Sequence, residues 1–336
     1  MIKKTLLALA LTAISAPAAM AAQEVNVYSN RQDELIKPII QQFEKESGIK
    51  VNVVFAKEGL NERLEREGKL SPADLMLTVD ISRLTDLVDK DLVQPVDSKL
   101  LQENIPAAYR DPDNRWFALT TRVRAIYSSK ERLGKLDTIS YEDLVKPEFK
   151  GKICTRSGKH EYNVALVSSM IVHHGMADTK SWLEGVKANL ARTPQGNDRD
   201  QVKAIKDGIC DVSLGNSYYL GAMLKDPEQK AWAEAVEINF PNQTNRGAHV
   251  NVSGVAMTKY AKNKAQAQKL MEFLAGDQAQ HMYAEVNAEY PVKPGVEPSA
   301  MVKSWGSFKV DALPVSDYAK HRKDALQLLD EVKFDL

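Results

Sequence analysis

Two cysteines occur in 336 residues, aromatic side chains make up 7% of the chain, and neither charge is in excess, with 45 basic and 45 acidic residues. Each scarcity excludes something. Cys154 and Cys210 are too few and too far apart for a zinc cage. A nucleic-acid binder would carry a clear basic excess, and none is present. No apolar run approaches the ~20 residues needed to cross a bilayer. The GxSxG, HExxH, Walker A and Rossmann glycine patterns are all missing, and with them the usual local signatures of an enzyme.

What is present begins with a three-part leader. Lys3 and Lys4 are followed by the short apolar run Leu6 to Ile14 and by the small-x-small element Ala19-Met20-Ala21. That layout predicts a secretory signal peptide over 1–21, cleaved before Ala22, and a soluble, exported mature chain. No cysteine follows the cleavage site to carry a lipid. About 315 residues remain, with 43 basic against 45 acidic once Lys3 and Lys4 are gone. That length predicts two domains or lobes. In an exported protein an even, small cysteine count suggests a Cys154–Cys210 disulfide, with two buried free thiols as the alternative.

The periodicity supports two α/β units in series. Val25 to Tyr28 alternates as a strand, and Leu35, Ile36, Ile39, Ile40 and Phe43 mark a helical face that Gly48 ends. Lys50 to Phe55 alternates again, Leu60 to Glu67 reads as a helix, and Leu75 to Val79 as a strand. Strand and helix in alternation predict a parallel sheet covered by helices. A second series follows Gly151: strand Lys152–Thr155, helices Tyr162–His173, Ser181–Leu190 and Asp200–Asp207, strand Ile209–Leu214 and helix Tyr219–Leu224. Between the units, Trp116 to Ser128 is β-rich and long enough to cross, and Val236–Phe240 or Asn251–Met257 could return. Two lobes joined by crossing strands make a hinged clamp around a solute. We assign 22–121 plus 239–336 to one lobe and 122–238 to the other.

Candidate chemistry concentrates in the second unit. In Asn216-Ser217-Tyr218-Tyr219, Asn216 or Ser217 is placed to cap the next helix, which puts both tyrosines on its first turn. Neighbours ~100° apart there can converge on one point, and the helix N-terminus favours phenolate over phenol. Tyr162 likewise opens an apolar helix after Ser157-Gly-Lys-His-Glu161. Ligands of open α/β sheets bind at that end of the strands. Phenolate is a hard donor suited to ferric iron. The alternative is packing aromatics. Arg122 and Arg124 share a strand face, and Arg31 and Gln32 lie where the first strand becomes a helix; arginines there suit an oxyanion, or simple surface ion pairs. His173-His174, before Gly175, reads as a solvated helix end.

Taken with VNVYSNRQ, SPADLMLTVDISRL, LTTRVRAIYSSKERLGKL, CTRSGKHEYNVAL, PQGNDRDQVKAIKDGICDVSLGNSYY, NVSGVAMTKYAKN and EYPVKPG, the whole mature chain resembles the periplasmic ferric-ion-binding proteins of ABC iron uptake. The resemblance implies a two-lobed periplasmic-binding-protein type II fold in the periplasm, a monomer that hands Fe(3+) to an inner-membrane ABC permease without catalysis. It implies Tyr162, Tyr218 and Tyr219 as metal ligands. Arg31, Gln32 and Arg122, with Arg124 beside them, would hold a synergistic carbonate or bicarbonate. A related branch has His-Tyr where this chain has Gln32-Asp33, so two potential ligands are lost from the first lobe and the anion gains weight. The rival readings are a binder of a small anion or organic solute on the same scaffold, and an exported hydrolase.

Overall fold

Alternating apolar residues set the strands of the described residues, 23–336 of a computed structural model; the expected signal peptide lies outside them. In chain order the strands are β1 (Glu24–Ser29), β2 (Lys50–Phe55), β3 (Leu75–Thr78), β4 (Val93–Gln94), β5 (Phe117–Ser129), β6 (Ile153–Cys154), β7 (Val212–Asn216), β8 (Val236–Asn239), β9 (Val250–Thr258) and β10 (Tyr290–Pro291). In β1, Val25 and Val27 are fully buried, as the alternation predicts. The helix Asp33–Ser47 lays Ile36, Ile39, Ile40 and Phe43 on the same core. Gly48 ends it at φ 68°, a left-handed turn that suits glycine, and its N–H reaches the Glu44 carbonyl. Both β2 and β3 pair parallel with β1. The strand-helix-strand series of the first unit is therefore as expected.

The sheet order is β2-β1-β3-β9-β5-β7-β6. Every one of the 13 residues of β5 is buried. Its first half, Phe117 to Val123, pairs with β9, and from Arg124 onward it pairs with β7 and β8 instead. One strand thus belongs to both lobes. The return crossing differs from expectation. β8 pairs with the second half of β5 and β9 with the first, so neither run crosses; the connection 240–249 between them does. The junction is tied by Arg124 N–H donating to the His249 carbonyl at 3.0 Å.

The strand's two faces feed two cores in the second lobe. Ile126 packs with Leu166, Met170, Trp182 and Leu183 on one side, while Val123, Ala125 and Tyr127 pack with Val202, Ile205 and Met223 on the other. The last helix does not follow the 239–336 assignment. Helix Val315–Ala319 sits in the first core, but Arg322–Glu331 buries Ala325, Leu328 and Leu329 in the second, because its apolar face meets the long helix Glu161–Ala188. That long helix spans two expected ones, broken at Gly175 (φ 77°).

Cys154 and Cys210 form a disulfide between β6 and the turn before β7, both ends buried. The bridge spans 56 residues. A loop of that length restricts the unfolded chain by an amount worth about 4 kcal/mol. Replacing both cysteines with alanine should lower the unfolding free energy by that order in a urea titration. Equal stability of the two proteins would mean that the crosslink constrains nothing.

Candidate functional site

The middle of β5, the end of β7 and the turn after β6 meet at the mouth between the lobes. β7 stops at Asn216, and Tyr218 and Tyr219 begin the helix Tyr218–Lys225. Tyr162 is the second residue of the helix Glu161–Ala188. The Tyr162 and Tyr218 hydroxyls are 3.2 Å apart. The Tyr218 and Tyr219 rings lie 4.3 Å apart between centroids. All three border a cavity of about 420 Å³, whose opposite wall is Asn30, Arg31, Gln32 and Glu58 of the first lobe and whose floor includes Arg122. Among the described residues no three of His, Cys, Asp and Glu gather to hold a metal. The gathered hard donors are the phenols.

Burial raises the Tyr162 and Tyr218 pKa values well above the ordinary tyrosine range. The neighbouring Tyr219 pushes both in the same direction, Arg122 opposes it, and the hydrogen bond between the two hydroxyls raises Tyr218 while it lowers Tyr162. Tyr162 and Tyr218 are therefore held toward the protonated form, and the helix N-terminus alone does not ionise them. A cation entering the cleft would have to displace their protons.

The four expected anion contacts separate into different situations. Arg122 is 1% exposed, and its Nε and Nη1 have no hydrogen-bond partner among the described residues. Its guanidinium carbon lies 5.8 Å from the Tyr162 ring centroid. A buried guanidinium left so is costly and is ready for an anion. Gln32 is exposed and borders the cavity. Arg31 also borders it but is clamped in two places by Glu289, at 2.9 and 3.2 Å. Arg124 does not reach the cavity. Its terminal nitrogens donate to Asp198 at 2.6 Å, Asn163 at 2.7 Å and Asn216 at 3.1 Å. It faces Tyr162 as Arg122 does, at 6.0 Å from the ring centroid, but its terminal nitrogens are taken up inside the lobe.

Three local expectations change. Neither Asn216 nor Ser217 caps the tyrosine helix: Ser217 Oγ accepts from Val123 N–H at 3.2 Å, and Asn216 Oδ1 accepts from Arg124. The helix of Tyr162 is capped by His160, whose Nδ1 accepts from Tyr162 N–H at 3.3 Å. Burial, then the Arg156 charge, lowers the His160 pKa to about 4, which keeps that nitrogen free to accept at neutral pH. His173 and His174 are not a free solvated end: they meet Asp311 at 2.6 Å and Glu142 at 2.7 Å. Glu289 and Asp198 escaped the sequence reading, since no local pattern marks a carboxylate whose partner is far along the chain; Glu58, which borders the cavity, also escaped it. Arg83 and Glu161, 3.2 Å apart, form an ion pair across the mouth of the cleft.

A profile of bacterial extracellular solute-binding proteins matches residues 71–309. The chain belongs to that family. Among similar solute-binding proteins, iron uptake protein A1 of Synechocystis sp. is 42% identical over 312 residues, covering 92% of this chain and 87% of that one. The apo ferric ion-binding protein A of Pasteurella haemolytica is 59% identical with a TM-score of 0.89, over 94% of this chain and 99% of that one. A Trichodesmium protein solved with iron and citrate is 41% identical with a TM-score of 0.89, over 93% and 99%. The two-lobed type II fold expected from the sequence is the fold observed. Among the described residues of this solute-binding protein, no helix is long and apolar enough to cross a membrane.

His249, at the junction of the lobes, supplies a pH test of the solute-binding scaffold. Burial, then the charges of Arg124, Arg246 and Arg122 and the nearby His173, lowers its pKa to about 3; its ring also packs edge-on against Tyr318. Unfolded, it titrates near 6.5. Between those values the unfolded chain binds a proton that the folded one refuses, so stability is full above about pH 6.5 and falls as pH drops toward 3. Asp80, pushed up to about 6 by burial and by Glu161, works oppositely between about pH 4 and 6. In His249→Gln, the loss of unfolding free energy from pH 7 to pH 5 should shrink by about 2 kcal/mol relative to the parent. Parallel urea curves for the two proteins at both pH values would contradict this.

Proposed function

We propose that this protein captures ferric iron in the periplasm, holds it on the phenolates of Tyr162, Tyr218 and Tyr219 together with a carbonate or bicarbonate, and hands it to an inner-membrane ABC permease without chemical transformation. The observation that carries the reading is the convergence of three tyrosines at one cavity, with two hydroxyls 3.2 Å apart. The names of the relatives, an iron uptake protein and a ferric ion-binding protein, support it.

Three phenolates match the charge of a ferric ion but supply only three donor atoms. The vacancy needs an external oxyanion or water. Arg122 is the residue to hold the anion by charge-assisted hydrogen bonds, and the Gln32 amide can donate across the cavity. Arg31 contributes less, because Glu289 already balances its charge; Arg124 is left to hold the lobe's interior. The Trichodesmium complex favours a second reading for the anion alone, namely citrate in place of carbonate. Acid would return protons to the phenolates and to carbonate, so the metal and its anion should leave together as pH falls.

Adding ferric iron to the purified, metal-free protein should develop a visible tyrosinate-to-iron band. A binder of small anions alone would stay colourless. Tyr218→Phe and Tyr162→Phe each remove one oxygen and keep the ring. Each should weaken iron binding by more than the roughly 10–100-fold that losing an outer-shell partner costs, with little change in urea stability. Parent-like affinity in both would remove the tyrosines from the site.

The anion is read separately. In buffers free of carbonate, phosphate and citrate, iron should bind weakly. Bicarbonate should restore the affinity, and Arg122→Ala should blunt that restoration. Citrate restoring where bicarbonate does not would select the second reading, and equal affinity with no anion would show that the protein completes the coordination unaided.

A further inference from the structure

Asp198 is fully buried and does not border the cavity. It opens the helix Asp198–Lys206, yet that helix does not need it. Asn197 caps the helix through Arg199 and Asp200 N–H, and Asp200 answers by accepting from Asn197 N–H at 2.7 Å. The Asp198 carboxylate turns inward instead. Its Oδ2 accepts from Arg124 Nη1 at 2.6 Å and from the backbone N–H of Asn216 at 2.9 Å, and its Oδ1 faces Arg156 Nη1 at 3.4 Å.

Two routes leave this carboxylate, and both end at the tyrosines. One passes directly to Asn216, two residues before Tyr218. The other passes through Arg124 Nη2 to Asn163 Oδ1 at 2.7 Å, the residue next to Tyr162. The Asn163 amide in turn donates to the carbonyls of Arg156 and Ser157, at 3.2 and 3.1 Å, and so ties down the turn that leads into the Tyr162 helix. The Asn216 end is held from a further side, where Tyr127 donates to its carbonyl at 2.9 Å. Gly215 admits that ring: a Cβ there would stand 2.5 Å from Tyr127 Cε2.

We infer that Asp198 is a positioning residue of the iron site: through Asn216 on one side and Arg124–Asn163 on the other, it sets the distance between Tyr162 and the Tyr218–Tyr219 pair. The inference rests on the ferric reading given above. A buried ion pair is weak grounds for stability, because apolar packing often serves as well. What apolar packing lacks is direction. Three oxygens must meet one metal to within about 0.5 Å, and hydrogen-bonded supports of fixed geometry supply that. The next residue adds to the pattern, since the Arg199 guanidinium lies 5.7 Å from the Tyr219 ring centroid. One helix start therefore reaches toward all three tyrosines.

The test compares ferric titrations of the full chain against a competing chelator, read by the visible band and paired with urea unfolding. Asp198→Asn keeps the shape and loses the charge; it should bind iron 10–100-fold more weakly and with a displaced band. Leu183→Ala, a core change in the same lobe, should lower stability while keeping the parent's affinity and band. Should Asp198→Asn not fold, Asn163→Ala cuts only the Tyr162 route and is expected to weaken binding about tenfold, also with a band shift. If Asp198→Asn, or Asn163→Ala in its place, matches the parent in affinity and band while the parent is coloured, the positioning role is overturned and the ferric reading stands. If Leu183→Ala weakens binding and moves the band as much, the effect is general loosening and the inference fails. A parent with no band removes the ferric reading and this inference with it.

Discussion

The chain runs once, as a fully buried strand, from one sheet into another, and most of the molecule follows from that. Phe117 to Ser129 cannot leave its backbone groups unpaired in the interior, so each half must find its own neighbours: β9 for the first, β7 and β8 for the second. The change of partner falls between Val123 and Arg124. On either side of it, Arg122 and Arg124 show the same sequence spacing and meet different fates. Arg122 emerges beneath the cavity with Nε and Nη1 open, while Arg124 enters the second lobe and gives its two terminal nitrogens to Asp198, Asn163 and Asn216.

The same geometry organises the charge. A cleft bordered by Arg31, Arg83, Arg122 and Arg199 would repel a bare cation. Part of that repulsion is removed internally, with Glu289 taking Arg31 and Glu161 taking Arg83. Arg122 is left to face protonated phenols. Burial holds Tyr162 and Tyr218 toward the neutral form in the absence of ligand, so these two phenols add no negative charge of their own. On the ferric reading proposed above, these tyrosines would accept the ion only as their protons leave.

Elements whose signal is local were legible in the sequence. The β1 alternation, the Gly48 stop, and the placement of Tyr162 and Tyr218–Tyr219 at helix starts all depend on neighbours a few residues away, and the structure has them as read. What failed to show depends on distance along the chain. Arg31 and Glu289 are 258 positions apart, Arg124 and Asp198 are 74, and His173 and Asp311 are 138; no periodicity encodes such pairs. The capping expectation for Ser217 failed for a related reason, since a backbone N–H from β5 arrives from elsewhere and takes its hydroxyl. The last helix read as part of the first lobe because it follows first-lobe elements in order, whereas its apolar face is matched to a helix laid down more than a hundred residues earlier.

That last helix makes a further passage between the lobes beside β5 and the 240–249 connection, namely the step from Val315–Ala319 to Arg322–Glu331. The third is fastened to the second, since the Tyr318 hydroxyl donates to the Val250 carbonyl at 2.9 Å. Two bodies joined by one cord can turn in any direction, and joined by two they can still wring about each other. Three cords fastened side by side leave chiefly one freedom, a swing about the line that runs through them. A jaw mounted in this way would swing in one plane, and that plane would bring Gln32 and Glu58 on one side to the same place opposite Tyr218 and Tyr219.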